Sequence, residues 1–154
     1  MRYTLYEANV KKISINKERD FIENYFEMER MRYPKDYLID KKINLLKENI
    51  EIEPLLFFVF IENAFKYGVS NHEVAPIVMN LAVEDDKLLF EVHNKKFKKE
   101  PIRVSGEGIG IANTKRRLEM LYPKRHKLKI VEKDDSYSVN LEIRLREKNF
   151  DSLI

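Results

Sequence analysis

Pro54-Leu-Leu-Phe-Phe-Val-Phe-Ile-Glu-Asn-Ala-Phe-Lys-Tyr-Gly68 is the stretch that decides how this chain is read. Seven apolar residues follow the proline, then come Glu62, Asn63, Lys66 and Tyr67, and a glycine closes the run. Proline suits the first turn of a helix, where its missing N–H forfeits no hydrogen bond, and glycine suits a helix end. At about 100° per residue, Glu62, Asn63, Lys66, Tyr67 and Ser70 share a face roughly 140° wide, with Phe57, Ile61, Ala64 and Phe65 opposite. A helix that is apolar nearly all round belongs in a core, and a polar patch on it must be satisfied by hydrogen bonds, a metal or a ligand. On this helix alone two readings fit: Asn63 and Glu62 bond neighbouring backbone, or they serve a ligand.

A second stretch tilts the balance. Gly106-Glu-Gly-Ile-Gly110 holds three of the chain's four glycines and is followed directly by the helical pattern Ile111-Ala-Asn-Thr-Lys-Arg-Arg-Leu-Glu-Met-Leu-Tyr122. Glycines before a helix let backbone N–H groups approach an anion, and the helix N-terminus adds its positive dipole end. A lone Gly-x-Gly-x-Gly is a weak signal. Its coexistence with the upstream Glu-Asn-Ala-x-Lys is a stronger one.

These residues carry a resemblance. Glu62-Asn63-Ala64-Phe65-Lys66-Tyr67 resembles the N box of the GHKL ATPase superfamily, and Gly106 to Gly110 resembles its second glycine box. Phe21-Ile-Glu-Asn-Tyr-Phe-Glu-Met-Glu-Arg-Met-Arg-Tyr33, Pro54 to Gly68 and Gly106 to Pro123 together look like the catalytic domain of sensor histidine kinases partnered with LytTR-type response regulators. The likeness runs from about Arg2 to Leu145.

The resemblance implies a Bergerat fold that binds ATP and Mg²⁺ and passes the γ-phosphoryl to a histidine on another segment. Asn63 carries over as the magnesium ligand through its side-chain oxygen, and Glu62 as the carboxylate that orients a metal-bound water or helps activate the attacking group. Lys66 would lean toward phosphate, and Tyr67 stands where the family often has His. Asn94 falls where an Asp often accepts the adenine amino hydrogen; its amide oxygen can accept the same hydrogen. The glycines that usually follow that Asp are missing here. Gly106, Gly108, Ile109 and Gly110 would surround the phosphates, with Asn113 and Arg117 on the helix behind them. A surface role for Arg117 on an amphipathic helix fits equally well. By the same resemblance the parent protein would be a membrane-anchored homodimer whose cytoplasmic domain this is. Its partners would be a phosphoacceptor histidine helix and a response regulator. This chain alone would bind nucleotide without autophosphorylating. Two alternatives stay open: a degenerate GHKL module that only docks or dimerises, motivated by the lost glycines, and a protein serine kinase of the anti-sigma type.

Composition sets the outer bounds. The 154 residues suffice for one domain with a real core. The absence of cysteine excludes a disulfide scaffold and a thiolate metal site, and three scattered histidines do not make a metal site. The net charge of +3 favours anionic ligands without requiring nucleic acid. The basic run Lys95, Lys96, Lys98, Lys99 and Arg103 reads as a mobile loop, the ATP lid of the resembling family. It interleaves no aromatic beyond Phe97, so no nucleic-acid partner is expected.

In chain order, residues 1–15 resemble the end of a preceding helical dimerisation segment or a linker, with 16–146 as the ATP-binding catalytic domain and 147–154 as a tail. A helix is expected over Asn16 to Tyr33, capped by Asn16, with Phe21, Tyr25, Met28 and Arg32 on one face and Ile22, Phe26 and Glu29 beside them as its packing face. A strand is expected over Tyr37 to Asn49. Ile77 to Val83 and Lys87 to Asn94 read as a hairpin closed by Glu84-Asp-Asp-Lys, and Leu128 to Glu132 and Tyr137 to Arg146 as a second pair. The sum is an α+β fold: a two-layer sandwich with a mixed, mostly antiparallel sheet and about three helices on one face.

Overall fold

The computed structural model describes residues 12–33, 39–45, 49–70, 72–97 and 107–145. The terminal segments 1–11 and 146–154 lie outside them, as do Gly106 and most of the basic run.

The large sheet has five strands: β2 (Ile39–Asn44), β4 (Ile77–Glu84), β5 (Lys87–Lys95), β6 (His126–Glu132) and β7 (Ser136–Arg144). Their order is β2-β4-β5-β7-β6. The edge pair β2–β4 is parallel and the other three pairs are antiparallel. The hairpin predicted around Glu84 is present, and Asp85, at φ 53°, makes the tight reversal. Burial alternates strictly along β4, β5 and β7. Met79, Leu81, Phe90, Val92, Val139 and Leu141 face inward, while Glu91 points to solvent and Asn80 and Asn140 are only partly covered.

Three helices, α1 (Ile15–Arg32), α2 (Phe58–Gly68) and α3 (Glu107–Leu121), cover the apolar face. Phe57 stacks on Phe90 with centroids 4.7 Å apart, and Ile22, Phe26 and Leu118 complete the same core. The two-layer arrangement expected from the sequence is the one the chain adopts.

Four local expectations are corrected. Ser14, not Asn16, caps α1: its hydroxyl accepts the Asn16 N–H at 3.2 Å. The buried stripe of α1 is Ile15, Glu18, Ile22, Phe26 and Glu29, so the expected packing face is buried at Ile22, Phe26 and Glu29, while Phe21 and Tyr25 are half-covered and Met28 and Arg32 are exposed. The strand expected over Tyr37 to Asn49 is limited to β2 within the described residues. Asn49, at φ 68°, turns the chain into a short strand that the sequence did not suggest. That strand, β3 (Glu51–Ile52), pairs antiparallel with β1 (Ile13–Ser14), so the folded unit includes Ile13. Finally, Pro54 does not open α2. Pro54 to Phe57 form a turn with Leu55 at φ 60°, and the helix begins at Phe58. The Leu55 N–H is held by the Glu18 carboxylate (3.1 Å) and the Pro54 carbonyl by Arg117 (3.0 Å). The left-handed Leu55 excludes an earlier helical turn, and the Pro54 carbonyl that such a turn would use accepts from Arg117 instead.

Candidate functional site

Helix α2 is where the separate motifs meet. A β-carbon on Gly110 would lie 3.1 Å from Val59 Cγ2, so the first turn of α3 rests against α2. Val59 is one turn before Asn63 on the same side of the helix. At the other end of α2, a β-carbon on Gly68 would lie 2.8 Å from Asn94 Cβ, which brings the end of β5 into backbone-close contact. The Glu-Asn motif, the glycine motif and Asn94 thus share one 11-residue helix.

Asn94 and Asn63 are both buried polar residues with unfinished hydrogen bonding. Asn94 is 1% exposed, and its Nδ2 donates to the Lys95 carbonyl at 2.9 Å. That bond fixes the amide with Oδ1 on the other side, where the oxygen has no partner among the described residues. Asn63 likewise buries an Nδ2 without a partner among the described residues. An unpaired buried polar atom costs about 1–3 kcal/mol. A ligand that donates to Asn94 Oδ1 would recover that cost at its position.

Glu62 is exposed at the rim. The residues four before and three after it, Phe58 and Phe65, grip the Tyr25 ring edge-on at 5.1 and 5.7 Å. The Tyr25 phenol is raised well above the usual tyrosine range, first by burial and then by the charges of Glu29 and Glu62. Glu62 therefore sits beside a neutral hydroxyl that itself bonds Glu29.

The remaining sequence candidates divide. Lys66 is exposed, with its ammonium 5.3 Å from the Tyr67 ring centre. Tyr67 is buried, because the last turn of α2 is covered by the chain leaving β5: the Phe97 N–H donates to the Tyr67 carbonyl at 3.0 Å. Gly108, Ile109 and Gly110 lie in the first turn of α3, and Gly106 is outside the described residues. Asn113 is exposed on α3. Arg117 reaches the other way, to Pro54.

The basic run is also not uniformly a solvated loop. Lys95 belongs to β5 and pairs with Glu73 at 2.9 Å. The Lys96 side chain is 5% exposed and pairs with Glu132 at 2.6 Å, while its N–H donates to Asp135. Sequence reasoning also missed the buried bond between the Tyr122 hydroxyl and Glu53. The only trace of it in the sequence is a carboxylate immediately before Pro54.

Among the described residues no three His, Asp or Glu side chains gather as a metal cluster. A divalent cation here would rest on Asn63 plus water and phosphate oxygens, a donor set that suits Mg²⁺. Among the described residues no helix is long and apolar enough to cross a membrane.

No known protein-family model matches the chain. Sensor protein LytS of Bacillus subtilis (strain 168) is 28% identical over 89 residues, which is 58% of this chain and 15% of LytS. Among solved structures, the catalytic domain of histidine kinase ThkA in a nucleotide-free form superposes with a TM-score of 0.59 at 14% identity, covering 87% of this chain and 96% of that one. The Acinetobacter baumannii histidine kinase AdeS gives 0.58 at 9% identity, over 88% of this chain and 67% of its own. The cytoplasmic segment of histidine kinase QseC gives 0.53 at 12% identity, over 90% and 80%. The fold of this chain is that of histidine kinase catalytic domains.

Proposed function

We propose that this chain is the ATP-binding catalytic domain of a sensor histidine kinase, and that its site lies along α2 between Gly110 and Asn94. The observation that carries the reading is the convergence on that helix. The glycine-bearing start of α3 packs one turn before Asn63, and a buried acceptor with no partner among the described residues stands at the helix end. A positive helix terminus suits phosphate, and an unpaired amide oxygen suits an exocyclic amino group.

In this reading Asn94 Oδ1 receives the adenine amino hydrogen. The free N–H groups of the first turn of α3, around Gly108 to Gly110, face the phosphates. Asn63 supplies an oxygen to Mg²⁺, which when bound neutralises charge on the phosphates. Glu62, exposed at the rim, is the carboxylate that meets an incoming acceptor. Lys66 adds positive charge at the same rim, and Asn113 a polar contact. The acceptor histidine, the response regulator partner, the dimeric parent and its membrane anchor belong to this proposal as well.

Calorimetric titration with ATP, with and without Mg²⁺ and beside Asn63→Ala, tests it. Magnesium-dependent binding that the variant loses is the expected result, together with no stable phosphohistidine on the chain alone. No binding at millimolar ATP would reject it. One observation favours the rival, a docking module that binds no nucleotide: Tyr67 and Arg117, both expected at the ligand, are engaged inside the protein. A null titration with intact Asn63 would move that reading forward.

A further inference from the structure

Helices α2 and α3 touch at two points that run in opposite senses. Gly110, early in α3, meets Val59 inside α2; Arg117, two turns later, reaches back to Pro54 ahead of α2. The turn it reaches is bound from three directions. Arg117 Nη2 donates to the Pro54 carbonyl at 3.0 Å, the Tyr122 hydroxyl bonds the buried Glu53 carboxylate, and the Leu55 N–H donates to Glu18 of α1 at 3.1 Å. Leu55 is held there at φ 60°, a left-handed conformation that a leucine adopts only under such constraint. The straps from α3 and α1 therefore define where α2 starts, and with it where Asn63 lies relative to the first turn of α3.

We infer that Arg117 is a positioning residue of the nucleotide site and not a phosphate ligand. With Tyr122 as a second strap, it fixes the separation between Asn63 and the amide groups that begin α3. The inference rests on the nucleotide reading above for its effect on binding, but not for its effect on the turn. The geometry favours it because a guanidinium that bonds a carbonyl at the Pro54 end of α2 is directed away from the Asn63 end, while its helix carries the glycines at that end. β3 leads straight into this turn and pairs with β1, so the same brace ties the chain entering at Ile13 to the site.

The test compares the intact chain with Arg117→Met, Arg117→Lys and Tyr122→Phe in two measurements. Hydrogen exchange without nucleotide should show Leu55, Phe60 and Ile61 losing protection in Arg117→Met, while core amides such as Leu81 and Phe90 keep theirs. Arg117→Lys, which retains a donor and a charge, should restore it. Calorimetry with Mg·ATP at low and high salt should show Arg117→Met weakening binding roughly tenfold with the salt dependence unchanged. Arg117→Met and Tyr122→Phe together should weaken it by less than the product of their separate effects, since both act on one turn. Unchanged exchange at the turn with a flattened salt dependence would make Arg117 a phosphate contact and overturn the inference. If Arg117→Met does not fold, Tyr122→Phe decides the matter on the same amides. If the unaltered chain binds no ATP, the nucleotide reading fails, while the exchange measurement still decides the brace.

Discussion

Gly68 and Asn94 are so close that a β-carbon on the glycine would lie 2.8 Å from the β-carbon of the asparagine. The last turn of α2 and the last residues of β5 therefore meet with no room for a methyl group. Alanine in place of a helical glycine ordinarily gains about 1 kcal/mol. Here the overlap is with a β-carbon fixed to strand backbone, and overpacking costs about 1–3 kcal/mol. Gly68→Ala is expected to lower the melting temperature and weaken ATP binding together. A more stable variant with unchanged affinity would show that the contact is slack.

Asn94 should decide which base is accepted. Its Nδ2 is anchored on the Lys95 carbonyl, so the side chain offers an acceptor and no free donor in that direction. A purine carrying an amino group at the matching position is favoured over one carrying a carbonyl. ATP should bind more tightly than GTP by about tenfold or more, consistent with roughly 1–3 kcal/mol for an unmatched buried polar group. Asn94→Leu should abolish the preference and leave the folded state about as stable, since it removes the unpaired oxygen as well. Equal affinities for ATP and GTP in the unaltered chain would argue against this role.

Lys96 and Glu132 form an asymmetric pair, with the lysine side chain 5% exposed and the glutamate 40%. Removing the glutamate strands a buried ammonium on one carbonyl, that of Lys133. Glu132→Ala is expected to destabilise by about 1–3 kcal/mol. Lys96→Met, which removes the buried charge itself, should cost less. Urea denaturation of the two variants measures the order, and a larger loss in Lys96→Met would reverse the assignment of the burden.

Alkaline pH should destabilise the chain through the buried phenol of Tyr122 and the half-buried one of Tyr25. Tyr122 is raised above the usual tyrosine range, first by burial and then by its bond to Glu53, and Tyr25 is raised by burial and by Glu29. A group whose folded pKa is raised contributes stability that is full below its unfolded value, 10.0 for tyrosine, and is lost as pH climbs toward the folded value. Stability should therefore fall above about pH 10, and Tyr122→Phe should flatten that part of the profile. Absorbance titration should find the Tyr122 phenol ionising only as the chain unfolds, so that Tyr122→Phe shows one late-ionising phenol fewer than the unaltered chain. An unaltered chain and Tyr122→Phe that titrate alike near the ordinary value would contradict the burial of Tyr122.

Much of the architecture was legible in the residues. Alternation marked β4 and β5, and the acidic turn between them fixed their register. The apolar run before Glu62 marked α2 as buried, and Phe57, Ile61, Ala64 and Phe65 are indeed core residues. Legibility failed where a backbone group is satisfied by a distant side chain. Pro54 reads as a helix start by local rules, yet Arg117, 63 residues away, holds its carbonyl and delays the helix to Phe58. The packing face expected for α1 was broader than the buried one, because Phe21 and Met28 are as apolar as Ile22 and Phe26. Only the neighbouring elements select between the two stripes.

By itself the sequence determined the three helices, the two hairpins and which polar residues cluster on α2, because side-chain periodicity and turn chemistry act within a few residues. It did not determine how that cluster is divided. Tyr67 turns into the core while Lys66 stays in solvent, and Gly68, which reads as a stop signal, is the seat of Asn94. Arg117 is directed to a carbonyl at the far end of the helix. Those outcomes were decided only by tertiary packing, because the partner of each group comes from a strand or helix that sequence periodicity does not position.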